Sequence, residues 1–154
     1  MSTGYVPTYF LGALMQKLVA VGTDAFKISL NTGTLPWANR DNATEYYGGA
    51  DFASEAPATG TYVAGGLAVT LSQASYLTGS VHTWTAQIAA GSVTWAAATL
   101  TNITYAVLYD NTSATKWAAC VWDFGGAQSV TANTFTINFT DTTPTGRVFY
   151  LSVS

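Results

Sequence analysis

The sequence predicts a mainly β protein: an antiparallel, jelly-roll-like β-sandwich of about seven or eight strands, with one N-terminal α-helix and a long inserted loop. Short segments alternate apolar and polar residues with a period of two, most clearly residues 134–140. Glycine, asparagine and serine separate these segments and mark turns. Only residues 7–21 space their apolar positions as a helix does. We therefore expect a single domain across residues 1–154.

An amphipathic helix is predicted for residues 7–21, after an N-terminal arm at residues 1–6. Pro7 suits the first turn of a helix, and Gly22 suits the left-handed residue that ends one. The polar face carries one lysine, Lys17, whereas a helix lying on a membrane needs a face rich in Lys and Arg. We expect no membrane partner. The apolar stripe that should pack on the sheet comprises Phe10, Leu11, Leu14, Leu18 and Val21.

A strand and then a long loop follow the helix. Residues 25–30 alternate apolar and polar positions, as a half-buried strand does. No period continues through residues 31–59, and connections longer than about 12–15 residues usually carry function. Aromatic side chains are the kind that anchor protein interfaces, and the loop and the arm both contain them. The predicted partner-binding residues are Trp37, Tyr46, Tyr47 and Phe52 in the loop and Tyr5 in the arm.

The remainder of the chain, residues 60–154, is predicted to be rich in strands. Residues 102–110 and 116–124 are apolar on both faces, which is typical of central strands. Trp117 and Trp122 lie on opposite faces of the second of these, so one of the two is expected to face outward. The other predicted strands are residues 60–73, 80–89, 92–95, 134–140 and 147–153.

The chain has few charges with which to cover a surface. Only 8% of its 154 residues are charged, with 5 Lys plus Arg against 8 Asp plus Glu. Thr, Ser, Asn, Gly and Ala must cover the domain, and weakly charged surfaces favour association. Five scattered cations form no basic stripe, so a nucleic acid partner is not expected. We expect an assembly component. A secreted, Thr-rich β domain is the alternative, but the N-terminus lacks the basic start of a signal peptide.

Residues that catalysis or metal binding would need are scarce and scattered. His82 is the only histidine and is in phase with apolar residues, so we expect it in the core. Cys120 lies between apolar residues of a central strand, where a thiol is inert. Asp110 and Asp123 precede turns and should accept backbone hydrogen bonds. The acids of the loop match no metal signature and are expected to be solvated: Asp41, Glu45, Asp51 and Glu55.

The short motifs of common enzyme folds are also missing from the sequence. Neither GxSxG, GxGxxG, GxxxxGKS/T nor HExxH occurs. The sequence therefore predicts a protein that is not an enzyme and that has no cofactor and no metal site.

Four segments that follow the helix carry the most informative pattern of the sequence. They are AFKISL, GTYVAGGLAVT, VTWAAATLTNITYAVLYD and WDFGGAQSVTANTFTINF. In this order they are similar to the capsid decoration, or cement, proteins of tailed bacteriophages, from the helix to about Phe139. The resemblance implies a virion protein, made in the host cytoplasm, that binds the outside of an icosahedral capsid and bridges major capsid proteins. It also implies a homo-dimer or homo-trimer. Residues 31–59 and 147–154 depart from the pattern.

Two other functions fit the same sequence pattern. One is a tail, collar or head-fibre component of the virion. The other is a carbohydrate-binding β-sandwich that stacks sugars on Trp37, Tyr46 and Tyr47. If these three side chains are interface anchors, truncating them to Ala is expected to weaken attachment to the particle more than it weakens folding.

Overall fold

The computed structural model describes residues 3–35, 52, 54–78, 81–139 and 149–153. These ranges contain one helix and eight strands, so the mainly β prediction is confirmed. In chain order the elements are β1 (Thr3–Tyr5), α1 (Thr8–Met15), β2 (Phe26–Thr32), β3 (Leu67–Val69), β4 (Leu71–Thr78), β5 (Val81–Ile88), β6 (Ser92–Asp110), β7 (Ala118–Asn138) and β8 (Phe149–Val153).

The strands form two antiparallel sheets. The larger has the order β1-β7-β6-β2-β3, and the smaller has the order β4-β5-β8. Every strand pair in both sheets is antiparallel. The predicted sandwich packing of one sheet on another stays a prediction.

The β6–β7 hairpin is the central feature of the larger sheet. Its strands are 19 and 21 residues long, and each joins two segments that the sequence analysis treats as separate strands. Bulges make this continuity possible, because the pairing register shifts several times along the hairpin. Three residues at these register shifts have positive φ: Ala97, Asn102 and Ala132. At each of them the side chains stop alternating between the two faces, but the strand continues.

Both faces of the hairpin's inner half are buried, as predicted for central strands. Ala106, Leu108 and Trp122 belong to the main core, which also contains Phe10 and Ala13 of α1. The opposite face forms a second core. Its members are Leu35, Phe52, Tyr105, Val107, Ala118 and Val121.

The helix is shorter than predicted. It ends at Met15 instead of continuing to residue 21, because Lys17 takes the left-handed conformation with φ 58°. The amide of Lys17 donates to the Leu14 carbonyl at 3.1 Å, and that of Leu18 donates to the Ala13 carbonyl at 2.9 Å. These two bonds form a Schellman motif, in which glycine usually occupies the position of Lys17. Within the described residues no helix is long and apolar enough to span a membrane.

The predicted N-terminal arm is part of the sheet over its described residues. Thr3–Tyr5 form β1 and pair with β7, with Thr3 opposite Asp123 and Tyr5 opposite Val121. Residues 3–5 of the predicted arm at residues 1–6 are therefore an edge strand of the larger sheet.

The end of the long loop also pairs with the sheet. Asn31 and Thr32 belong to β2, and Asn31 forms an isolated bridge with Glu55. The amide of Ala56 donates to the Leu30 carbonyl at 2.8 Å, and the amide of Thr32 donates to the Ser54 carbonyl at 2.8 Å. The irregular connection is thus shorter at both ends than the predicted residues 31–59.

Candidate docking surface

Two apolar side chains of α1, and a third just after the end of the helix, are exposed to solvent. Leu11 is 47% exposed, Met15 is 86% exposed and Leu18 is 51% exposed. Leu11 and Met15 are four residues apart on the helix and are therefore neighbours on its surface. The Schellman motif folds Leu18 back over the last helical turn. We call these three residues the helix patch.

The apolar stripe that the sequence predicts is buried only in part. Phe10 and Ala13 are buried and Leu14 is half-buried, so this side of α1 faces the core. Leu11 and Leu18, which the sequence stripe assigns to the core, are both exposed, and Leu18 lies beyond the end of the helix. Val19 takes the buried position instead. The apolar stripe is therefore divided between a core side and a solvent side.

The helix patch is nearly neutral. No residue of α1 is charged, and Lys17 is the one cation in the turn that follows. Binding to such a patch depends on burial of apolar surface, which salt screens very little.

A stacked aromatic pair lies on the other flank of α1. The rings of Tyr9 and Trp117 are 6.3 Å apart between centroids and are tilted by 6°, and both side chains are half-buried. Trp117 is held at the end of the β6–β7 hairpin, where its carbonyl accepts the amide of Asp110 at 2.9 Å. Trp122 is buried in the main core, and Trp117 is half-buried and packs against that same core, so the expectation that one of the two tryptophans faces outward is wrong.

The predicted partner-binding residues have different locations. Trp37, Tyr46 and Tyr47 lie outside the described residues, so their role stays a prediction. Tyr5 lies in β1, where its backbone pairs with Val121. Phe52 is 5% exposed, and its ring lies 6.4 Å from that of Tyr105 in the second core. A surface role for Phe52 is therefore wrong, because this ring covers the second apolar face of the sheet.

The sequence predicts that Glu55 is a solvated loop acid, and this prediction is wrong. Its Oε1 atom accepts a hydrogen bond from the Tyr62 hydroxyl at 2.7 Å and one from the Gly65 amide at 2.6 Å. The Tyr62 hydroxyl in turn accepts the buried amide of Leu30 at 3.0 Å. Burial, and to a lesser extent the charge of Glu55, raise the pKa of Tyr109 to about 12. The Tyr109 hydroxyl therefore stays protonated and donates to the Gly65 carbonyl at 2.6 Å.

The other polar candidates have structural roles. Cys120 is buried in β7, which confirms its assignment to the core. Asp123 accepts the amide of Gly125 at 2.8 Å, as predicted. The backbone of His82 lies in β5, opposite Leu77 of β4 and Val153 of β8. Asp41, Glu45 and Asp51 lie outside the described residues. Among the residues that the structure describes, no three potential metal ligands lie together.

Asp110 caps the turn after β6 from a buried position. Its Oδ1 atom accepts the amide of Thr112 at 2.7 Å and that of Ser113 at 3.4 Å, as predicted. Its Oδ2 atom is buried without a hydrogen-bond partner in the described part of the chain. Burial raises the pKa of the Asp110 carboxyl, the two amides lower it in part, and the charge of Asp24 raises it.

This raised pKa predicts a pH dependence of stability. The folded protein binds the Asp110 proton more tightly than the unfolded chain, whose pKa is near 3.8. The resulting stabilisation is complete below that pH and is lost as the pH rises through the folded-state value. Asp110→Asn keeps an oxygen for Thr112 without the charge, so its stability relative to wild type should increase from about pH 4 to pH 7.

Urea unfolding across this pH range measures the difference. The matched control is Asp123→Asn, which changes a half-exposed carboxyl that also caps a backbone amide. A difference between Asp110→Asn and wild type that is constant with pH would show that burial does not perturb this carboxyl.

Comparisons of the chain with protein-family models, with curated proteins and with solved structures find no match.

Proposed function

We propose that the protein is a structural component of a bacteriophage particle that binds the outside of the icosahedral capsid in many copies and holds neighbouring major capsid proteins together. The observation that carries the proposal is the helix patch, an exposed apolar surface on a chain with few charges. The sequence resemblance to decoration proteins supplies the identity of the scaffold. The protein transforms no substrate in this account.

The size of the patch fits a weak contact repeated many times. Leu11, Met15 and Leu18 are about half exposed or more, and covering each should contribute about 1–2 kcal/mol. Association and side-chain ordering consume part of this free energy, so one patch binds weakly. A module that bridges two subunits makes a second contact at high effective concentration, which converts two weak contacts into stable attachment. The aromatic loop residues Trp37, Tyr46 and Tyr47 are our candidates for that second contact.

The experiment is a rebinding assay with particles that lack the protein. Purified Leu11→Ser/Met15→Ser protein should bind with an affinity at least about tenfold below wild type, because it replaces exposed apolar surface with hydroxyls. Its thermal stability should stay close to that of wild type, since Met15 is 86% exposed and Leu11 is about half exposed. Wild-type binding should change little between about 0.1 M and about 1 M salt.

Val63→Ser provides the matched control. Val63 is 66% exposed and lies outside the helix patch, so this variant removes an exposed apolar side chain elsewhere. It should bind like wild type. Should the double variant unfold, Met15→Lys alone tests the patch through its most exposed side chain. Equal binding by the patch variants and Val63→Ser would exclude the patch as the capsid contact.

A further inference from the structure

The outer edge of β7 is open over most of its length. In the sheet order β1-β7-β6-β2-β3, β1 covers only three residues of that edge, Val121, Trp122 and Asp123. Residues 124–138 pair with β6 on one side. On the other side no strand of the described residues pairs with them. An open edge presents backbone donors and acceptors that can pair with another strand.

The pairing with β6 determines which backbone groups face this edge. Val93 lies opposite Ile137 and Trp95 opposite Phe135, and the amide of Phe139 donates to the Gly91 carbonyl at 2.7 Å. Odd-numbered residues therefore direct their backbone groups towards β6, and the alternate residues direct theirs to the edge. These alternate residues are Thr134, Thr136 and Asn138.

One of the three outward amides already has a partner. The amide of Thr134 donates to the Asn133 side-chain oxygen at 2.7 Å. The amides of Thr136 and Asn138 face outward without a partner among the described residues. Together with the outward carbonyls, they form a short regular ladder that lies beyond the last bulge of β7, at Ala132.

This edge lacks the usual protection against pairing. Natural edge strands carry Lys, Pro or inward charges that block an added strand. Residues 124–138 contain no charged residue and no proline. A cavity of about 270 Å³ lies against the same edge, lined by Phe124, Gln128, Phe135, Thr136, Ile137 and Asn138. It can receive a side chain of an added strand.

We propose that this edge binds the same edge of a second copy of the chain, in an antiparallel pair centred on Thr136. The sequence around Thr136 is nearly symmetric in polarity, so it fits its own reverse. In this register Thr134 lies opposite Asn138 of the other copy, and Phe135 lies opposite Ile137. Polar residues meet polar residues on the solvent face, and apolar residues meet on the core face.

The absence of charge allows this edge to pair with a second copy, which its symmetry of polarity favours. A strand that carries charges repels its own copy in many registers, whereas this neutral edge places no like charges opposite one another. Equally, it offers nothing that would attract a charged partner. The two larger sheets then become one continuous sheet through the dimer. This dimer goes beyond the proposed function, because it forms in the purified protein whether or not a capsid is present.

Sedimentation equilibrium of the purified full chain tests the dimer. Wild type is expected to be dimeric at about 100 µM and to dissociate on dilution. Thr136→Lys places two ammonium groups opposite each other at the centre of the interface and should weaken the dimer at least about tenfold. Thr136→Glu should do the same. An equimolar mixture of the two variants should recover dimers, because each Lys then faces a Glu.

Thr94→Lys is the matched control for the added charge. Thr94 is exposed, and its hydroxyl lies 3.1 Å from that of Thr136, but it belongs to β6, one strand away from the edge. This variant should dimerise like wild type, since the two added charges are farther apart and are screened by salt. Thermal melting of all variants should be similar, because the substituted side chains lie on the solvent face.

Two results would overturn the proposal. The first is a wild-type protein that stays monomeric at about 100 µM. The edge would then be covered by a further segment of the chain or by another protein. The second is a wild-type dimer that Thr136→Lys and Thr94→Lys affect equally, which would place the interface elsewhere. Neither result decides whether the helix patch contacts the capsid, which the rebinding assay measures separately. Conversely, a dimer that binds no particle would contradict the proposed function alone.

Discussion

Gly66→Ala is expected to destabilise the protein by about 3 kcal/mol or more. Gly66 has φ +73°, which a side chain rarely adopts, and a Cβ atom there would lie 2.0 Å from the Ile28 carbonyl oxygen. That oxygen belongs to β2, which pairs on both sides, with Ile28 opposite Leu108 of β6 and Leu67 of β3. The backbone of β2 therefore cannot move away cheaply. Chemical denaturation measures the loss as a lower midpoint.

Substitutions at two other glycines distinguish the cost of backbone strain from the cost of a steric clash. Gly125 has φ +71° with no atom within 4 Å of an added Cβ, so Gly125→Ala should cost only about 1–2 kcal/mol. Gly12 lies in α1 in open space without a positive φ, so Gly12→Ala should be neutral or stabilising by up to about 1 kcal/mol. If Gly66→Ala costs no more than Gly125→Ala, the close approach of residue 66 to β2 is not real.

Trp122→Ala is expected to cost about 3–5 kcal/mol. The side chain is 1% exposed, and its ring lies 5.0 Å from that of Phe139 in the main core. Removal leaves a large cavity beneath the β6–β7 hairpin, because Ala106 of β6 and Gly4 of β1 lie opposite Trp122 and cannot fill it. Urea unfolding gives the change in the free energy of unfolding. It is monitored by circular dichroism, because the loss of a tryptophan would itself change the fluorescence signal.

The comparison variants are Trp122→Phe and Trp117→Ala. Trp122→Phe keeps most of the ring volume and removes an indole N–H that is buried without a partner among the described residues, so it should cost much less than Ala. Trp117 is half-buried and stacks on Tyr9, so Trp117→Ala should cost about 1 kcal/mol. Equal losses for Trp117→Ala and Trp122→Ala would contradict the difference in burial between these two side chains.

The regular parts of the fold could be predicted from the sequence because their side chains obey a simple period. Phe135, Ile137 and Phe139 alternate with polar residues and are buried. The bulges of the β6–β7 hairpin could not be predicted, since their left-handed positions are held by Ala97, Asn102 and Ala132 rather than glycine. An interrupted alternation without glycine is indistinguishable, in sequence, from the end of a strand. The same reason hid the end of α1 at Lys17.

The surface was harder to predict than the core. Leu11 and Leu18 share a helical stripe with Phe10 in the sequence. That stripe does not predict the burial of Leu18, because the helix ends at Met15. Phe52 resembles an interface anchor because it lies in a long loop. The signal that could have corrected this is the apolar second face of residues 102–110, which requires a cover from outside the regular strands. An exposed aromatic and a covering aromatic cannot otherwise be told apart by sequence.

The open edge of β7 and the helix patch are two neutral surfaces, and we propose that the first binds a second copy and the second binds a scaffold. If both proposals hold, each dimer carries two helix patches and can bridge two capsid subunits without further help. This arrangement would add avidity to the contact that each helix patch makes by itself, so Thr136→Lys should still bind particles but leave fewer copies on them after washing.

The most direct test of the central claim is the number of copies per purified virion, measured by quantitative mass spectrometry against the major capsid protein. Our account predicts a copy number comparable with that of the major capsid protein, because the protein covers the shell. One or a few copies per particle would contradict it and would instead indicate a component of the tail or collar.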